Sequence, residues 1–355
     1  MKPPNSSLAI PSSEGLDWGM PSSNIFSVDP LFDLKSFDVL NLKITSDCLA
    51  KNPLEDSPVR SQFILQPKKA KGKLQAVFHL SGYFGTGFQK FAVRTLEMNM
   101  PQKIDQLTST GQMRPALHIF VDATTFWGGS QFIDSPGSGL YGQFVGKELP
   151  NELEKHFSLK KGGLVCGASS GGYGALDLIS RSNSYFSKAI AVAPDSFFEM
   201  SLLPELYKVA HKIKGLGSLS ECRKSTMKGE PLTKGSFFSL ANVLAMAHCY
   251  SAKEDINKRR ILWPIDLARG TLDQKIWKKW KKHDPLEFLL KRFKNLQGKK
   301  VLLRVGSYDE YHLQYGTRQI RDIFKKHKVR HSYGEFAGGH RGLSAEILVS
   351  LSKEL

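Results

Sequence analysis

Apolar and polar positions alternate along 37–44 and again along 59–65, the period of strands with one covered face. The pattern then changes. The runs 74–80, 116–121 and 189–193, and the run entering Gly167, are almost continuously apolar, as in strands covered on both faces. Between them, 143–157 places Phe144, Leu149, Leu153 and Phe157 at helical spacing. Strands alternating with helices predict an α/β fold with a mainly parallel central sheet and helices on both faces. From about 198 to 295 the strand pattern lapses, and helical segments appear at 202–213, 237–248, 274–282 and 285–293. That length exceeds a simple crossover and predicts a helical insertion or lid. Trp263, Trp277 and Trp280 within it read as core packing. The sheet resumes at 300–306, followed by a helix at 313–326, a last strand at 331–336 and a closing helix. Residues 1–35 are rich in Pro, Ser, Asn and Gly without sustained period. They predict an irregular arm, tacked by Trp18, Phe26 and Phe32 onto a domain spanning 36–355.

The sharpest local signal is Leu164-Val165-Cys166-Gly167-Ala168-Ser169-Ser170-Gly171-Gly172-Tyr173. An apolar run enters Gly-x-Ser-x-Gly and leaves as a helix, the context in which a serine sits on a tight strand-to-helix turn with its hydroxyl exposed. The glycines suit a turn whose backbones approach too closely for a β-carbon. The bland alternative is a Gly/Ser-rich loop. A second glycine-rich stretch, Ser81-Gly82-Tyr83-Phe84-Gly85-Thr86-Gly87, follows a central strand. It is either a plain turn or a loop whose N–H groups face a developing oxyanion. The loop 124–136, mixing Phe126, Trp127 and Phe132 with glycines, reads first as an Ω-loop packed on its own aromatics and second as a pocket wall.

Composition narrows the classes. With 355 residues, 41% hydrophobic and 10% aromatic, the chain builds a sizeable core and is not a disordered type. No apolar run reaches the roughly 18 residues of a membrane span, and none of signal-peptide length follows Met1, so the expectation is a cytoplasmic protein. Cys48, Cys166, Cys222 and Cys249 are widely spaced and form no metal-binding pair. Cys166 reads as a buried thiol. The net charge of +17 gathers in short lysine runs near 68–73, 278–282 and 325–330. No nucleic-acid motif accompanies them, so they read as a solvated basic surface. The oligomeric state is left open.

Three candidates for chemistry stand in the order Ser169, Asp309, His340, each just beyond the end of a predicted strand, where open α/β sheets bind ligands. A serine hydroxyl needs a neutral imidazole to take its proton, and the imidazole needs a carboxylate to orient it. Asp195 and Glu310 are rivals of Asp309 for the acid, and Ser170 is a rival of Ser169 for the nucleophile. The order is that of α/β-hydrolases.

On Leu80-Ser81-Gly82-Tyr83, Gly167-Ala168-Ser169-Ser170-Gly171-Gly172, Gly306-Ser307-Tyr308-Asp309-Glu310 and Phe336-Ala337-Gly338-Gly339-His340, the chain resembles the Putative esterase family of α/β-hydrolases. That group includes S-formylglutathione hydrolase, ferric-enterobactin esterases and mycolyltransferases. The similarity runs from about residue 38 onward, with fainter likeness in 125–141 and 245–251. It implies a carboxylic-ester hydrolase working through an acyl-enzyme on a small-molecule ester. Ser169 would be nucleophile, His340 general base and Asp309 its orienter. The oxyanion would be held by the N–H of Ser170 and one from Gly82, Tyr83 or Phe84. No metal or organic cofactor is implied. One departure stands out: Ser81-Gly82 occurs where many relatives have His-Gly. An acyltransferase using the same residues, or a non-catalytic binding protein of the same fold, is the alternative; a peptidase is a weaker one.

Overall fold

The computed structural model describes residues 23–69, 71–213, 235–252 and 261–355, with a few isolated positions between 216 and 224. The strands, in chain order, are β1 (Ser23–Val28), β2 (Phe37–Thr45), β3 (Val59–Pro67), β4 (Ala76–Leu80), β5 (Leu117–Phe120), the small pair β6 (Asp134–Ser135) and β7 (Gly139–Leu140), β8 (Gly163–Ala168), β9 (Phe186–Val192), β10 (Lys300–Gly306) and β11 (His331–Phe336). All but β6 and β7 join one nine-stranded sheet in the order β1-β2-β3-β5-β4-β8-β9-β10-β11. The pairings from β5 through β11 are parallel, and those of β1, β2 and β3 are antiparallel. This is the mainly parallel α/β architecture that the hydrophobic pattern predicts.

Burial follows the same logic. Every residue of β4 and β5 is buried, because helices cover both faces there, whereas β2 alternates. The described helices used below are α1 (Met100–Ser109), α2 (Leu149–His156), α3 (Ser170–Ser180), α4 (Leu203–Ile213), α5 (Gly235–Ser251), α6 (Gln274–Lys281), α7 (Pro285–Arg292), α8 (Leu313–Lys326) and α9 (Leu343–Glu354). One core lies between the sheet and α2, α3, α7 and α8, and takes in the insertion. The other, under α1 and α9, includes Cys166, a buried free thiol as expected.

Among the described residues between β9 and β10, the chain packs mainly as helices. Trp277 and Trp280 are buried, and Trp280 Nε1–H donates to Ser251 Oγ at 2.8 Å. Asp284 pins α7 to the chain after β9. Its carboxylate accepts from the N–H groups of Phe197 (3.1 Å), Phe198 (2.8 Å) and Leu286 (3.0 Å). Arg181, reaching Asp177 (2.7 Å) and Asp134 (2.9 Å), and Arg292, reaching Asp177 (2.7 Å), lock α3 between its neighbours.

The arm departs from expectation. Residues 23–28 of the predicted irregular stretch form β1, paired antiparallel with β2 from Ser23↔Ile44 to Val28↔Val39. An edge strand draws its order from the free N–H and C=O groups of the neighbour it meets, so a six-residue segment needs little periodicity of its own. Ile25, Val28 and Phe32 pack on the cores, while Phe26 faces solvent. Trp18 and Cys222 lie outside the described residues.

Candidate active site

Ser169 sits between β8 and α3 with φ 57° and ψ −125°, a conformation that side chains rarely adopt. The neighbouring glycines make it reachable. A β-carbon on Gly167 would lie 2.4 Å from the Gly171 carbonyl carbon, and one on Gly171 would lie 2.5 Å from the Leu80 oxygen. The backbone is held on both sides: Ser169 N–H donates to Val192 O (2.9 Å), and Tyr173 N–H donates to Ser169 O (2.9 Å). The Gly/Ser run is therefore a tight strand-to-helix turn, with the N–H of Ser170 at the start of α3, where the helix end favours negative charge.

The loop after β4 lies against this turn. A β-carbon on Gly82 would be 3.3 Å from Ala168 O and 3.6 Å from Ser169 Cβ. The loop 124–136 braces it: Tyr83 OH donates to Trp127 O (2.7 Å), and Phe84 N–H donates to Gly128 O (3.1 Å). That bond removes Phe84 from the three candidate oxyanion donors and leaves Gly82 and Tyr83. The brace also revises the Ω-loop reading. Trp127 and Phe132 are buried in the main core, so the loop packs on the domain rather than on itself alone.

Asp309 and His340 arrive from the ends of β10 and β11. A β-carbon on Gly306 would come within 2.4 Å of Gly338 O, so glycine lets the two strand ends close together. His340 Nδ1–H donates to Asp309 Oδ2 at 2.7 Å. Because a carboxylate only accepts, this bond puts the proton on Nδ1 and leaves Nε2 as the ring's acceptor. Asp309 is fully buried and also accepts from Tyr311 N–H (3.0 Å). Burial pulls the His340 pKa down, but the hydrogen bond and charge of Asp309, with smaller effects from Asp195 and Glu310, outweigh it and raise the imidazole above its ordinary value.

The two rival acids hold other groups. Glu310 accepts the His340 backbone N–H at 2.6 Å and fixes the loop rather than the ring. Asp195 accepts from Ser169 Oγ (3.2 Å), Ser170 Oγ (2.9 Å) and Gln131 Nε2 (3.3 Å). Burial, ahead of these stabilising donors, raises its pKa. Among the described residues no hydrogen bond joins Ser169 Oγ to His340, although both line one cleft of about 1130 Å³. From its place in the sequence, Asp195 is a candidate partner for histidine only. Its hold on both serine hydroxyls, and the part of Gln131, have no local signal, because they come from three separate segments.

A family model described as Putative esterase matches residues 56–342. Comparison with curated protein sequences finds no match. Among solved structures, a ferulic acid esterase superposes with a TM-score of 0.53 at 14% identity, covering 90% of this chain and 98% of its own. S-formylglutathione hydrolase from Agrobacterium tumefaciens gives 0.52 at 12% identity, over 92% and 96%. Pyrococcus horikoshii acylaminoacyl peptidase gives 0.51 at 12%, over 90% of this chain and 42% of that one. At such identities the likeness is one of fold. The family match spans well over half the sequence, and the chain belongs to the Putative esterase family.

Proposed function

We propose that the protein hydrolyses a small carboxylic ester through an acyl-enzyme on Ser169. The observation that carries this reading is the Asp309–His340 pair, joined at 2.7 Å and sharing a cleft with a serine on a strained turn. In the reactive arrangement the Ser169 hydroxyl turns from Asp195 to His340 Nε2, which takes its proton as Oγ attacks the ester carbonyl. The oxyanion accepts hydrogen bonds from the N–H of Ser170 and of Gly82 or Tyr83. His340, now a cation beside Asp309, returns the proton to the leaving alcohol. Water repeats the sequence in reverse roles and releases the acid.

Hydrolysis of a p-nitrophenyl acyl ester series by the wild type and Ser169→Ala, both checked for folding by circular dichroism, tests the proposal. The expected loss in the variant is about 10³-fold or more in kcat. Equal rates would remove Ser169 as the nucleophile.

A further inference from the structure

The lining of the cleft at Ser169 carries both rings and cations. The rings come from the loop after β4, from α5 and from the loop after β10: Tyr83 and Phe238 meet at 5.4 Å between centroids, and Tyr311 joins them in the lining. Cations come from the stretch leading into α1, from α1 itself and from the loop after β11: Arg94, Lys103 and Arg341. Two carboxylates share the lining, and each is already engaged. Glu97 pairs with Arg94 at 3.1 Å. Asp195 is half-buried and accepts from the two serine hydroxyls and Gln131. Glu310 stands near Arg341 but is held by the His340 N–H at 2.6 Å. Lys103 and Arg341 are exposed, and no carboxylate among the described residues lies in ion-pair contact with either. Around them the whole chain carries +17, a field that draws anions toward the site.

We propose, resting on the esterase reading above, that the ester taken by this cleft bears an anionic group, received by Lys103 and Arg341 while the carbonyl lies at Ser169. The charge stands on either the acyl or the alcohol part, and the two parts are separate arms of the test. On the acyl arm, kcat/KM is compared for monophenyl glutarate and phenyl pentanoate. On the alcohol arm, it is compared for 4-carboxyphenyl butanoate and phenyl butanoate. The expected result is a preference for the anionic ester on at least one arm, about fivefold for each exposed cation that engages it. The preference falls as salt is added. Lys103→Gln and Arg341→Gln each lower the charged-to-neutral ratio, and the ratio rather than either rate is the readout. A neutral ester that is turned over as well or better on both arms overturns the inference and leaves the Ser169 reading standing. So does a preference that neither substitution nor salt alters. No turnover of any of the four esters, or turnover that survives Ser169→Ala, overturns the esterase reading and the inference with it.

Discussion

Asp309, Glu310 and Asp195 are the same kind of group within one small region, and their surroundings give them three tasks. Asp309 reaches the imidazole, Glu310 the backbone beside it, and Asp195 the serine hydroxyls. Asp309→Asn puts an amide where the ring N–H must donate, which favours the wrong tautomer. It is expected to lower kcat by about 10⁴-fold with the fold intact. Asp195→Asn keeps a carbonyl oxygen for one serine and turns an NH2 toward the other, whose hydroxyl can accept from it, and is expected to cost no more than about tenfold by the same kinetic arithmetic. Kinetics of the two variants check the assignment, and a reversed order would give the orienting role to Asp195. The pH profile follows from the sign of the His340 shift. If His340 is the base, as proposed, it works only when neutral, and its pKa is raised, so kcat/KM is lost as pH falls through a value above the ordinary one for histidine. Asp309→Asn removes the main raising influence, and the acid limb should then move to lower pH.

Elements position these residues because short polar devices fix where each one begins. Asp284 is both the N-cap of α7 and the clamp on the chain after β9, through three backbone N–H groups. Asp284→Ala leaves the buried Phe198 N–H and the half-buried N–H groups of Phe197 and Leu286 without that partner, at a cost of about 2–4 kcal/mol by the usual penalty for such groups. Thermal unfolding should show a matching drop in Tm, and an unchanged Tm would mean that α7 is held by packing alone. The helices of the insertion and the buried strands were legible in the hydrophobic period. The tasks of Asp284, Gln131 and Trp127 were not, since each acts on a segment far away in sequence.

Over the whole molecule, the parallel strands from β5 to β11 end on the face where the cleft opens, while β1 covers the opposite edge of the sheet at β2. A variant lacking residues 1–28 would leave the N–H and C=O groups of β2 open along 39–44, an invitation to edge-to-edge pairing. Light scattering over a concentration series should then show association beyond that of the full chain. Identical mass distributions would mean that β1 does not serve as an edge cover.

The sequence by itself determined the α/β alternation, the mainly parallel sheet, the helices near 202–213, 274–281 and 285–292 and the glycine-framed turn at Ser169. These rest on local period and on the steric needs of single glycines, which neighbours along the chain already express. Only the tertiary structure decided which of three carboxylates meets His340, that Phe84 spends its N–H on Gly128, that residues 23–28 become a strand, and that Lys103 and Arg341 border one cleft. Each of these is a choice among groups of equal intrinsic chemistry. It is made by distance and burial between segments that sequence proximity does not connect.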